Sequence, residues 1–226
     1  MSNDQDGRLS QFQIDLASAF FALPESVGFL LGGGGALIAH GLVQRETDDL
    51  DFFSHRGHGD VPVAGNALVA AAEGRGWEVE VVRSGPEFRR FKISRPETRA
   101  GESEVVYVDL AVDSPPTGEP KVTIAGLALA PYELAIRKTL ALFGRAEPRD
   151  FTDVYNLHGT FDRDEILEAA AQTDPGFDRL VFAQMLRSHR RIRDDDFPHS
   201  GVTVDELRAY FDSWADEIEG GPSTGT

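Results

Sequence analysis

The chain has no cysteine. That excludes a disulfide framework and a thiolate metal site, so any metal must be held by oxygen or nitrogen. Basic residues are also short, with 22 Lys and Arg against 38 Asp and Glu, for a net charge of -16. A field of that sign repels nucleic acid, so contact with RNA needs a local basic cluster. Two such clusters are expected: Arg83, Arg89, Arg90 and Lys92 on a hairpin, and Arg187, His189, Arg190, Arg191 and Arg193 on a late helix. The acidic excess equally suits a basic protein partner or simple solubility. Long apolar runs are missing too. The longest, from Val27 to Val43, is rich in glycine, carries His40 and falls short of the roughly 20 residues that span a bilayer. The first residues, MSNDQDGR, are polar and unlike a signal peptide. The expectation is a soluble, cytoplasmic protein of one or two domains with no membrane association.

What is present centres on residues 27–54. Val27 to Leu31 suits a buried strand, and Gly32 to Gly35 follow. Ala36 to Val43 reads as a short helix, Gln44 to Asp48 as a polar turn. In Asp49-Leu50-Asp51-Phe52-Phe53, carboxylates alternate with bulky apolar residues, the period of a half-buried strand. Asp49 and Asp51 then share one face, roughly 7 Å apart along the backbone. Two such carboxylates repel each other, and a divalent cation between them is the simplest reason for the arrangement. The glycine turn can bring backbone N–H groups close to phosphates. The plainer alternative is a glycine-rich turn followed by a strand with a solvated acidic face. A Walker A loop does not fit, because no Gly-Lys-Ser/Thr follows Gly35. The dinucleotide fingerprint fails as well, since its third glycine falls on Leu37 or Ile38.

Around this unit the pattern predicts a helix from Ser10 to Leu23, with Ser10 as N-cap and Pro24 as its stop. His55 and His58 fall in a glycine-rich loop and read as solvated, with metal binding as the alternative. A helix is expected from Val61 to Gly74. Strands are expected at Trp77 to Val82, Glu87 to Ile93 and Glu104 to Val112. Asp109 interrupts the last of these, and a carboxylate in a buried strand needs a partner; Asp113 would lie on the same face near the strand end and is the alternative to it. A short strand at Lys121 to Ile124 precedes the helical part. There, Tyr132 to Phe143 carries Lys138 at its middle and Gly144 at its end, and a helix starts at Arg149 with Asp150 as a candidate N-cap. Arg149 reads as a partner for a carboxylate. Helices at Asp162 to Gln172, Phe177 to Ile192 and Thr203 to Ile218 follow, with Asp194 to Asp196 as a solvated loop and little to order the tail after Gly220.

Glycines, a short helix and Asp-x-Asp on the next strand resemble the nucleotidyltransferase fold of the DNA polymerase β type. The pattern Arg45-x-Thr47-x-Asp49-Leu50-Asp51 resembles the AbiEii/AbiGii abortive-infection toxins and their MenT relatives. Lys138 to Arg145, then Arg149-Asp150-Phe151-Thr152-Asp153-Val154-Tyr155, are similar to that family's closing motifs. Relatives often carry Ser or Thr within the glycine run. The resemblance implies an α/β (α+β) nucleotidyltransferase core with a mixed sheet over residues 1–128, and a C-terminal helical domain over 129–226. It implies Mg²⁺ (or Mn²⁺) on Asp49 and Asp51, with Asp109 as third carboxylate, and an NTP whose phosphates lie over Gly33, Gly34 and Gly35. Thr47 would adjoin the metal pair, where some relatives are phosphorylated under antitoxin control; the alternative is a turn hydroxyl. Lys138 would contact the triphosphate. Asp150 or Asp153 would act on the attacking hydroxyl or orient Lys138. The implied acceptor is the 3′ end of tRNA, and the implied partner a cognate antitoxin. A nucleotidyltransferase acting on a small molecule or protein, and a non-catalytic binding protein that keeps the fold, remain alternatives.

Overall fold

The computed structural model describes residues 8–96 and 103–220, so the expectations for residues 1–7 and for the tail beyond Gly220 lie outside it. The chain forms two compact units. One comprises residues 1–41 and 46–133, the other residues 42–45 and 134–226.

The first unit is built on a seven-stranded mixed sheet of order β3-β4-β5-β2-β1-β7-β6. Its strands are β1 (Leu30–Gly32), β2 (Asp49–His55), β3 (Glu78–Ser84), β4 (Phe88–Arg95), β5 (Glu104–Asp113), β6 (Lys121–Thr123) and β7 (Gly126–Ala128). Alternation along β2 sends Leu50, Phe52 and Ser54 into the core and leaves Asp49, Asp51, Phe53 and His55 half-buried on the other face. Phe52 packs against Phe20 and Phe21 of helix α1 (Gln11–Phe21), at 4.4 and 5.4 Å between ring centres. Ser10 caps α1 in a reciprocal capping box with Gln13. The Gln13 amide then donates to the Thr47 carbonyl, tying α1 to the turn before β2.

Local boundaries differ from expectation where tertiary contacts override propensity. The strand expected from Val27 begins only at Leu30, because Pro24–Ser26 is a 3₁₀ turn and Gly28 takes φ +90°. The short helix, α2 (Gly33–Ala39), starts inside the glycine run and stops before Gly41 at φ +71°. Helix α3 (Val61–Glu73) ends at Gly74 and Gly76 as expected. Strand β7 has no signal in the sequence beyond three residues; it forms by adding to β1 in parallel and to β6.

The second unit is helical: α4 (Pro131–Gly144), most of which falls here, α5 (Pro148–Leu157), α6 (Arg163–Thr173), α7 (Arg179–Leu186) and α8 (Val204–Gly220). Its core joins Leu142, Phe151, Phe182, Phe211 and Trp214. Helix α4 runs through Gly144, and the left-handed turn falls on Ala146 instead, at φ 50°. Glu147 is the N-cap of α5, so Asp150 sits at its third position rather than at the cap. The helix expected through Ile192 stops at Leu186, and residues 187–191 form a 3₁₀ turn that turns His189 inward onto Asp212, at 3.1 Å. That turn also dissolves the late basic cluster. Arg187 pairs with Asp216 and Glu219, Arg190 with Asp212, and His189 is buried. Asp194 of the acidic run accepts from Arg208. Among the described residues, no helix is long and apolar enough to cross a membrane.

Burial lowers the His158 pKa to about 4, reinforced by the charge of Arg163 and opposed by that of Asp162. A histidine held neutral contributes stability above its unfolded value of 6.5, and that contribution is lost as the pH falls toward 4. The loss is on the order of 3 kcal/mol. Melting curves between pH 7 and pH 4 should therefore fall steeply, and less steeply in His158→Gln.

Candidate active site

Strand register places the acidic residues in rows. Arg90 on β4 is paired with Asp109 on β5, Asp109 with Asp51 on β2, and Asp51 with Gly32 on β1. Two residues along, Lys92, Tyr107 and Asp49 form the next row of the same face. Asp49, Asp51 and Asp109 are thus brought to one face of the sheet. Asp109 has the partner its burial demands: Arg90 Nε and Nη2 donate to its two carboxylate oxygens, each at 2.7 Å. Arg90 Nη2 also lies 4.0 Å from Asp49 Oδ1. The hydrogen bond to Asp109 raises the Arg90 pKa; burial opposes this, and the charges of Asp109, Asp49 and Asp51 add to it. Among the described residues, no group of three or more His, Asp or Glu side chains is gathered as a metal cluster. Asp109 is the seat of the Arg90 guanidinium.

Gly33 is the glycine that meets the carboxylates. It takes φ +58°, and a Cβ there would lie 1.8 Å from Asp51 Oδ2. Gly35 faces β2 instead, where a Cβ would approach Leu50 to 3.1 Å, and Gly34 is buried. Gly33→Ala meets both a strained backbone and a collision with Asp51, so it should destabilise by more than about 1 kcal/mol. It should also reduce activity at least as much as Asp51→Asn does. Thermal melting and a transfer assay check both. Thr47 behaves as a turn residue: its hydroxyl lies 3.4 Å from the Asp49 amide, which donates to it.

The second unit contains a buried ion-pair network. Arg45 Nε and Nη2 donate to the two oxygens of Asp153, at 2.7 and 2.8 Å. Lys138 Nζ lies 2.8 Å from Asp153 and 3.3 Å from Asp150. Arg145 reaches both Asp150 oxygens, at 2.8 and 3.0 Å. Asp150 and Asp153 are wholly buried, and Arg45 and Lys138 nearly so. Burial works against the Asp150 charge, but the Arg145 hydrogen bond and the charges of Lys138 and Arg145 outweigh it, so its pKa is lowered. Lys138 Nζ thus sits within ion-pair distance of both Asp150 and Asp153. Arg149 meets Glu147 at 3.1 Å.

Three participants escaped the sequence reading. Arg45 was noticed only as part of a motif, and its acidic partner lies 108 residues away. Arg90 was grouped with surface cations, although the demand of Asp109 for a partner was a signal for it. Gln13 looked like one polar residue among the helix positions, yet it braces the turn before Asp49.

A mixed sheet with Asp-x-Asp set against a glycine turn, in a chain with a helical C-terminal half, defines the class: a nucleotidyltransferase fold. A family model described as nucleotidyl transferase AbiEii toxin, type IV TA system, matches residues 15–224, and the chain belongs to that family. The fold is similar to the crystal structure of JHP933 from Helicobacter pylori, at TM-score 0.57 and 16% identity, covering 94% of each chain. It is also similar to the crystal structure of a putative nucleotidyltransferase from H. pylori, at TM-score 0.52 and 13% identity, covering 94% of this chain and 96% of the other. No curated protein matches the chain by sequence. The chain is thus a nucleotidyltransferase-type enzyme of a toxin–antitoxin family, which implies an NTP substrate and an antitoxin partner.

Proposed function

We propose that the chain transfers a nucleoside monophosphate from an NTP to the 3′ end of tRNA, blocking translation until its antitoxin intervenes. The observation that supports the transfer is the row Asp109, Asp51, Gly32, with Asp49 on the same face and Asp51 against Gly33. Two carboxylates on a rigid strand, with oxygen the only donor element, fit Mg²⁺ or Mn²⁺. A cation held by Asp49 and Asp51 would neutralise the triphosphate and polarise its α-phosphate. Gly33, Gly34 and Gly35 are the backbone we assign to the phosphates. Lys138 is the side chain we assign to the triphosphate, with Asp150 and Asp153 setting its position. Arg45, Lys138 and Arg145 stand against Asp150, Asp153 and Glu147 in that network, which fixes where the Lys138 ammonium sits.

In the reaction, the acceptor hydroxyl oxygen bonds to the α-phosphorus and its proton passes to solvent, the bond from the α-phosphorus to the bridging oxygen breaks, and pyrophosphate departs. The chain contributes positioning and charge stabilisation. Thr47 adjoins Asp49, and phosphorylation of its hydroxyl would set a dianion beside the carboxylates and close the site.

The acceptor is the open choice. The acidic composition, and the pairing of Arg187 and Arg190 with carboxylates, favour a small molecule or protein acceptor, while Arg191 and Arg193 stay exposed. Label transfer from each of the four NTPs to total tRNA, lysate protein and aminoglycosides tests both readings. Label on tRNA with one preferred base is expected. Label only on protein or small molecules overturns the tRNA acceptor, and no label anywhere overturns the transferase. Toxicity that persists in Asp51→Asn without transfer would point to a binding protein.

A further inference from the structure

We propose that Arg90 is a resident counter-ion that takes Asp109 out of the metal set, so that the carboxylate face accepts one divalent cation rather than two. The inference rests on reading Asp49 and Asp51 as metal ligands. Arg90 occupies both oxygens of Asp109 through a planar fork and leans toward Asp49, at 4.0 Å. Register imposes this. Arg90 is the direct cross-strand partner of Asp109, as Asp109 is of Asp51, so the guanidinium need not search for its seat. The Asp109 side chain is 11% exposed, and the Arg90 guanidinium sits 5.9 Å from the Tyr107 ring centre, which narrows its alternatives.

The seat of Arg90 sets the stoichiometry, because it occupies both oxygens of the third carboxylate, Asp109. A second cation on this face would have to take Asp109 from Arg90 and then sit beside the displaced guanidinium.

Mn²⁺ titration of the full chain, followed by electron paramagnetic resonance, counts the sites. Sites on the acidic surface are subtracted as those that persist in Asp51→Asn. Wild type should take one Mn²⁺ and Arg90→Gln two, while Asp109→Asn and Arg90→Lys each keep one. An unchanged count in Arg90→Gln overturns the exclusion. A second arm works in EDTA and needs no metal. Arg90→Gln should melt roughly 5 °C below wild type, and adding Asp109→Asn should recover most of the loss. Additive losses in the double variant overturn the counter-ion. If neither wild type nor Arg90→Gln takes Mn²⁺ beyond Asp51→Asn, the metal reading fails, and the EDTA arm separately decides whether Arg90 answers the charge of Asp109.

Discussion

Asp51→Asn should lower nucleotide transfer by about a thousandfold or more, which is about 4 kcal/mol of transition-state stabilisation. The melting temperature should stay within a few degrees of wild type. Asparagine has the shape of aspartate, so it keeps the packing against Gly33, where the contact is closest. What it loses is the charge. Asp51 shares one face of the sheet with Asp49 and Asp109, and its charge also attracts Arg90, so relief of repulsion and loss of attraction oppose each other and the change in stability is small. The catalytic loss follows from the chemistry: a neutral amide is a weak ligand for a hard cation, and the triphosphate then lacks its main neutralising partner. Measuring transfer and melting on one preparation separates a defect in the site from a defect in the fold. Transfer that survives in Asp51→Asn would remove the carboxylate row from the mechanism.

Elements governed by local rules were legible from the sequence. The alternation of β2, the capping of α1 by Ser10, and the start of α8 with Thr203 and Glu206 bonded to each other all depend on residues within a few positions. The carboxylate face was legible for the same reason, since a period of two fixes which side chains share it. What answers those charges was not. Arg90 reaches Asp109 through the pairing of β4 with β5, and Arg45 reaches Asp153 across 108 residues. Both are outcomes of topology. Helix boundaries moved for related reasons: α2 begins in glycines because Gly33 and Gly35 are pressed against β2, and α7 ends early because His189 is drawn toward Asp212. The cap of α5 shifted from Asp150 to Glu147, which leaves Asp150 turned toward Arg145 and Lys138 while its backbone stays helical.

The largest effect on stability should come from Asp153→Leu. Asp153 is wholly buried and answers two cations, Arg45 through a bidentate pair and Lys138 at 2.8 Å. Removing one partner of a buried pair leaves its counterpart uncompensated, at about 3–5 kcal/mol. For a chain of this size that is a fall of roughly 10 °C or more in melting temperature. Asp150 still answers Lys138 at 3.3 Å, whereas the bidentate pair of Arg45 is lost outright. The double variant Arg45→Met/Asp153→Leu should therefore regain much of the stability, because replacing a buried pair by apolar side chains is often neutral. Activity should not return with it. Lys138 would be held by Asp150 alone, in a different position. A double variant that melts like wild type and transfers no nucleotide would show that the pair exists to place Lys138. One that recovers both would reduce Arg45 and Asp153 to a structural tie and leave Asp150 as the residue that sets the lysine.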